Sequence, residues 1–170
     1  MKLTREQVIE KYEAGERDFR FEDLSGIDLS NVDLTGANFS ETDLRHANFQ
    51  KANLNKVDLS HATLCMANLQ NANFWDANFE GATLTNADLT GANLREANFQ
   101  GANLREANFQ GADLKWANLK EADLRWANFI RSYFVNADLE GVYLRGADFR
   151  SANLTGTILE GLKLCSCCKN

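Results

Sequence analysis

From Phe19 to Leu164 every fifth residue is Leu or Phe, thirty consecutive times without a slip. No ordinary element carries that period, since an amphipathic helix repeats its apolar stripe about every 3.6 residues and a half-buried strand at every second one. A chain built on five-residue units must turn about once per unit. One such unit cannot bury its own apolar side chain, so the units must stack and share a continuous core.

The register around each central Leu or Phe shows how a unit works. The residue two before the centre is Ala in twenty of the thirty units, with Ile27, Val32, Val57 and Val142 among the exceptions, which implies a second, smaller inward position. The residue just before the centre is Asn or Asp in twenty-four units, and such side chains bond nearby backbone and favour turns over helix. The other two positions are mostly polar and vary, as in Arg95-Glu96 and Gln100-Gly101. Ten of the eleven glycines fall two residues after a centre, a slot shared with Asn31, Asn71, Asn86, Asn136, His46 and His61. These residue types predict a corner of positive φ there. The centres also sort by twenties: the series Leu24, Leu44, Leu64 and onward to Leu164 contains no Phe. Phe gathers instead in the series of Phe19, Phe39, Phe79 and Phe99 and of Phe49, Phe109, Phe129 and Phe149, with Phe74 and Phe134 on a remaining one. That segregation shares large and small side chains out across a narrow interior.

Units such as Ala92-Asn93-Leu94-Arg95-Glu96 and Ala97-Asn98-Phe99-Gln100-Gly101 match the pattern A-(D/N)-L-x-x, and over residues 17–166 the chain resembles the pentapeptide-repeat family. The resemblance implies an all-β fold, a right-handed quadrilateral (four-sided) β-helix with one pentapeptide per side and twenty residues per coil. Thirty units would make about 7.5 coils and a rod roughly 36 Å long at the ~4.8 Å strand spacing. The expected division is a short capping α-helix within residues 1–16, the β-helix over 17–166 and a tail at 167–170. Thr4 and Gln7 read as a capping box and Leu3 and Val8 as its hydrophobic staple, for a helix from Arg5 to Ala14 that stops at Gly15. Val8, Ile9 and Tyr12 give it an apolar face to close the first coil. At the other end Ile158, Leu162 and Leu164 predict an apolar terminus, hence a monomer or a weak end-to-end dimer through the last coil.

The sequence holds no catalytic constellation. His46 and His61 are the only histidines and occupy different corner slots, where they read as solvated turn residues. Asp and Asn are demanded by the repeat, so a pair of carboxylates carries no information about acid and base roles. No Gly-rich phosphate loop, serine elbow or Walker run is present. Cys65 stands alone, and Cys165, Cys167 and Cys168 form a C-x-C-C cluster that matches no metal signature. Lys169 departs from a prenylation box. The expectation is a non-enzyme without metal or cofactor. The segment Met1-Lys2-Leu3-Thr4-Arg5-Glu6 carries no apolar run, which predicts a cytoplasmic location.

Two surface features exceed what the repeat requires. Trp126, Ile130, Tyr133 and Val135 occupy outward slots within one predicted coil, with Tyr143 in the next and Trp116 in the one before, and form a candidate partner-contact band. Arg105, Arg125 and Arg145 lie twenty residues apart on one face and are a candidate anion contact, with Glu106, Glu121 and Asp123 near enough to pair with them. The decamer from Ala92 to Gly101 recurs identically from Ala102 to Gly111, placing the same surface on two faces. In the family that the chain resembles, most members are interaction scaffolds, many of them cyanobacterial and some regulating differentiation, while a distinct group mimics DNA and binds gyrase. A duplex of ~36 Å carries on the order of twenty negative charges, whereas this chain has a net charge of −6, and residues 111–170 hold eight Lys or Arg against seven Asp or Glu. The expected function is a scaffold that binds another protein, with a gyrase-binding DNA mimic as the alternative. Direct nucleic-acid binding is not expected, because no basic stripe is segregated.

Overall fold

The computed structural model describes residues 2–161. Each residue that precedes a centre pairs in parallel with the one twenty later, from Asp18 with Asn38 and Asp23 with Asp43 through to Tyr133 with Asn153. The coil is therefore twenty residues long, with four pentapeptide sides. We number the sides in chain order by their centres: side one runs Phe19 to Leu159, side two Leu24 to Leu144, side three Leu29 to Phe149 and side four Leu34 to Leu154.

The bonding of one unit explains its sequence. Asn98 N–H donates back to the carbonyl of Ala77 at 2.9 Å, while Phe99 and Gly101 donate forward to Asn118 at 2.6 Å and Lys120 at 2.9 Å. Ala102 N–H closes the turn on Phe99 at 3.0 Å. Only Gln100 N–H lacks a backbone acceptor, and it finds the Asn98 side chain at 3.2 Å. An Asn or Asp before the centre thus completes the accounting that every buried donor requires. The amide nitrogens of the same residues reach back one coil, Asn78 to Asp58 at 3.1 Å, Asn98 to Asn78 at 3.1 Å and Asn118 to Asn98 at 3.0 Å. Such a ladder starts on an aspartate because a carboxylate accepts and cannot donate.

Every residue two after a centre, from Phe21 to Gly161, has positive φ. Besides the glycines, asparagines and histidines expected there, the corner takes Phe21, Met66, Trp116 and Trp126. The repeated hydrogen bonds impose it against residue preference.

Inside, the centres from Phe19 to Leu139 are sealed from solvent, Leu144 and Leu154 near the far end are only partly buried, and the rings stack coil on coil: Phe19 on Phe39 at 5.1 Å, Phe79 on Phe99 at 4.6 Å, Phe109 on Phe129 and Phe129 on Phe149 at 4.9 Å. Edge contacts of Phe39 with Phe49 at 6.3 Å and Phe99 with Phe109 at 6.1 Å cross the interior from side one to side three. The core is one side chain thick. The alanines two before the centres are buried with it as far as Ala137, and Ser132, in that slot, satisfies its hydroxyl on the Phe129 carbonyl at 2.6 Å.

Helix α1 spans Arg5–Glu13 and begins with the expected capping box, Gln7 N–H donating to Thr4 Oγ1 at 3.3 Å and Thr4 N–H to Gln7 Oε1 at 2.9 Å. Val8 is fully buried and Leu3 and Tyr12 pack beside it, whereas Ile9 is only half-buried. The helix also answers the open edge of the first coil. Arg5 donates to the carbonyls of Asp28 at 2.7 Å and Ser30 at 3.1 Å, and the Tyr12 hydroxyl to that of Thr35 at 2.8 Å. Among the described residues no helix is long and apolar enough to cross a membrane. Toward the far end Ile158 is exposed and Leu159 buried; Leu162, Leu164, Cys165, Cys167, Cys168 and the tail lie outside the described residues.

The side-chain caps make a pH prediction. Bonds from Ser25, Ser30 and Thr35 hold the carboxyls of Asp23, Asp28 and Asp33 below their ordinary value, and the guanidiniums of Arg45, Arg125 and Arg150 do the same for Asp43, Asp123 and Asp148. Arg20 brings Asp18 to about 2. A carboxyl lowered in the folded state binds protons more readily when unfolded, so its stabilisation is complete above the unfolded value near 3.9 and is lost as pH falls through the folded one. The urea midpoint should stay level from about pH 7 to 5 and drop between about 4 and 2. An equal midpoint at pH 3 and pH 7 would remove these caps from the account.

Candidate interaction surface

A side chain faces outward from this rod at the residue before a centre and at the two after it. Stacked over successive coils, these slots form columns in which Trp75, Arg95, Lys115 and Val135 follow one another on the edge between sides four and one. Their carbonyls accept in turn from Lys56, Asp76, Glu96 and Trp116 at 2.9–3.0 Å. Three cations lie over three rings on side four: Lys56 over Trp75 at 5.3 Å, Arg95 over Trp116 at 5.1 Å and Lys115 over Tyr133 at 5.2 Å. The Trp75 indole N–H donates to Glu96 at 3.3 Å, and Lys115 pairs with Asp113 at 3.3 Å. A shallow recess lies alongside, lined by Gly91, Ala92, Asn93, Arg95, Gly111 and Asp113.

The edge between sides two and three carries Arg105, Arg125 and Arg145 one above another, as their spacing predicts; Glu106 and Trp126 donate backbone N–H to the carbonyls of Arg125 and Arg145 at 3.0 Å. They differ in what they hold. Arg125 grips Asp123 with two bonds, at 2.8 and 2.5 Å, which lowers the Asp123 carboxyl and raises the guanidinium. Arg145 lies 5.9 Å over the Trp126 ring, and the Nε of Arg105 is shut from solvent without an acceptor. Glu106 and Glu121 form no ion pair with these arginines among the described residues.

The six residues read as one aromatic band fall in three places. Trp116, Tyr133 and Val135 belong to side four and its edge, Trp126 and Tyr143 to side two and its edge on the opposite flank, and Ile130 to the corner between sides three and four. Trp116, Trp126, Tyr133 and Tyr143 are about half exposed, whereas Ile130 and Val135 are partly covered. Tyr133 and Tyr143 stand where the repeat calls for Asn or Asp, and their rings cannot cap the N–H two residues on. Leaving that donor uncapped weakens the scaffold, so these aromatics are not there to hold the rod together. The sequence reading omitted Trp75, Lys56 and Arg95; counting in steps of twenty joins Trp75 and Arg95 to Lys115 and Val135.

Charge is segregated more sharply than composition suggested. Side one carries eight carboxylates against Arg17, Arg20 and Lys120, while each of the other three sides balances to within one charge. Among the described residues no cluster of His, Cys, Asp and Glu is placed to hold a metal ion.

A twenty-residue coil of four pentapeptides, filled by Leu and Phe, defines a class, and the pentapeptide-repeat profile matches residues 23–60, 66–101, 87–125, 97–134 and 122–161. The chain belongs to the pentapeptide-repeat family. HetL of Nostoc sp. strain PCC 7120, a pentapeptide repeat protein involved in heterocyst differentiation regulation, is 29% identical over 94% of this chain and 93% of its own, with a TM-score of 0.53. Rfr23 of Cyanothece 51142 is 26% identical over 88% and 95%, with a TM-score of 0.40. QnrB1, a plasmid-mediated fluoroquinolone resistance protein, is 26% identical over 82% and 75%, with a TM-score of 0.39. Among curated protein sequences none matches significantly. The solved relatives imply that the four-sided coil is a right-handed quadrilateral β-helix.

Proposed function

We propose that the protein is a non-enzymatic, cytoplasmic scaffold that presents a rigid surface to another protein, in a regulatory role like that of HetL. The supporting observation is the placement of Tyr133 and Tyr143 in slots where they cost the scaffold a hydrogen bond and stand exposed beside Trp116 and Trp126. Trp116, Trp126, Ile130, Tyr133, Val135 and Tyr143 are the contact residues of this reading, with Arg105, Arg125 and Arg145 as anion contacts. Trp, Tyr and Arg are the residue types that dominate interface energetics. Replacing Trp126 and Tyr133 together with Ala should abolish partner capture in a pull-down from the native organism while leaving the melting temperature nearly unchanged. Capture undiminished by the double change would remove these aromatics from the function.

The acidic side one favours a second reading, the DNA mimic. Its carboxylates average about one per ~4.8 Å coil, against one charge per ~1.7 Å of duplex, and Arg20 and Lys120 neutralise part of them. A gyrase supercoiling assay separates the two readings: inhibition that disappears when Glu80 and Glu121 become Gln would establish mimicry.

A further inference from the structure

Ten residues are half a coil, so any feature that recurs after ten residues reappears on the opposite side of the rod. Over residues 92–151 each coil consists of two similar decamers. The first pair is identical, the second reads Ala-Asp-Leu-Lys-Trp-Ala-Asn from 112 and Ala-Asp-Leu-Arg-Trp-Ala-Asn from 122, and the third keeps Tyr133 and Tyr143. Arg95, Asp113, Lys115, Trp116 and Tyr133 on side four therefore match Arg105, Asp123, Arg125, Trp126 and Tyr143 on side two.

The match extends to part of the geometry. Asp113 pairs with Lys115 as Asp123 pairs with Arg125. Trp116 and Trp126 both stand at corners, with φ of 59° and 65°, and are exposed to 48% and 54%. Tyr133 and Tyr143 bridge to Asp113 and Asp123 respectively. Arg95 in one patch, and Arg105 and Arg145 in the other, have no carboxylate within ion-pair distance among the described residues, and the Arg105 Nε is enclosed without an acceptor. Glu96 is engaged by the Trp75 indole. A planar guanidinium left free beside half-exposed rings suits a carboxylate carried on a segment with apolar side chains.

We infer that the rod is bivalent: it carries two related docking patches, on sides four and two, each of which takes one acidic segment of a partner protein. The inference rests on the scaffold reading and adds its stoichiometry and the chemistry of its partner. Two bound copies are related by a half turn about the rod and a rise of about half the ~4.8 Å coil, so the scaffold fixes their relative orientation. The patches are not identical: Arg95 lies over the Trp116 ring and Lys115 over Tyr133, whereas Arg145 lies over Trp126. Glu121 stands where side four has Gly111, and Thr85 where it has Trp75, so side four offers a recess and a third ring.

The indole N–H signals of Trp75, Trp116 and Trp126 report the patches separately. Titrated with an acetylated, amidated hexapeptide of alternating Glu and Leu, the Trp116 and Trp126 signals of the full chain should both shift and saturate at two peptides per chain. Arg95→Ala should weaken the Trp116 response at least about fivefold and spare Trp126, and Arg105→Ala should do the reverse, as loss of a charge-assisted contact predicts. A shift at one indole only, a loss at both from either variant, no shift at all, or tighter displacement of both by duplex DNA would each overturn the inference. The scaffold reading fails on a different result, the absence of any captured partner; a captured one-to-one complex would leave it standing and end bivalency.

Discussion

Phe109→Ala should lower the stability to urea unfolding by about 3–5 kcal/mol, the range for an aromatic removed from a packed core. The ring is fully buried, stacked on Phe129 at 4.9 Å and met edge-on by Phe99 at 6.1 Å. Collapse into the space is blocked, because the coils on either side are held at their spacing by backbone bonds such as Phe109 to Asn128 at 2.7 Å and Asn108 to Ala87 at 2.9 Å. The neighbouring outward change Gln110→Ala should stay within about 0.5 kcal/mol. Similar losses at the two sites would sink the division of the unit into inward and outward positions.

Gly146→Val should cost about 2–3 kcal/mol and release the Trp126 ring, through strain at positive φ added to overpacking. The glycine has φ of +75°, and a Cβ there would stand 2.1 Å from Cε3 of the indole, which lies across it. Near-ultraviolet circular dichroism should register the freed ring. Gly101→Asn is the comparison: at φ +65° with nothing within 4 Å, it suits a residue at ease in the left-handed region, and should change stability by less than about 0.5 kcal/mol. If the valine variant proves as mild as the asparagine one, the indole does not rest on Gly146.

The interior of this protein was legible from the sequence because it repeats without interruption. Thirty Leu or Phe centres gave the unit, the family resemblance gave the twenty-residue coil that Asp18 and Asn38 display and with which the absence of Phe from the Leu24 series agrees, and Thr4 with Gln7 gave the cap of α1. Residue preference alone did not place Phe21, Met66, Trp116 and Trp126 at positive φ. The corner is enforced by hydrogen bonds to both neighbouring coils, which override what one side chain favours. The surface was harder because nearness in sequence misleads on a coil. Trp116 and Trp126, ten residues apart, face opposite ways, while Trp75 and Arg95 are neighbours on one edge. The net charge of −6 likewise hid its own distribution, since it sums three nearly neutral sides with one acidic side.

The asparagine ladder gives the molecule a direction of growth. Each side-chain amide, as in Asn78, Asn98 and Asn118, donates to the residue twenty positions earlier, and a ribosome delivers that acceptor first. Helix α1, made before any coil, already covers the carbonyls of Asp28, Ser30 and Thr35 that no earlier coil can satisfy. A nascent chain therefore meets a finished template at every step, and each new coil closes on one already in register. Length is thus an open variable: twenty more residues of the same pattern add a storey without disturbing those beneath.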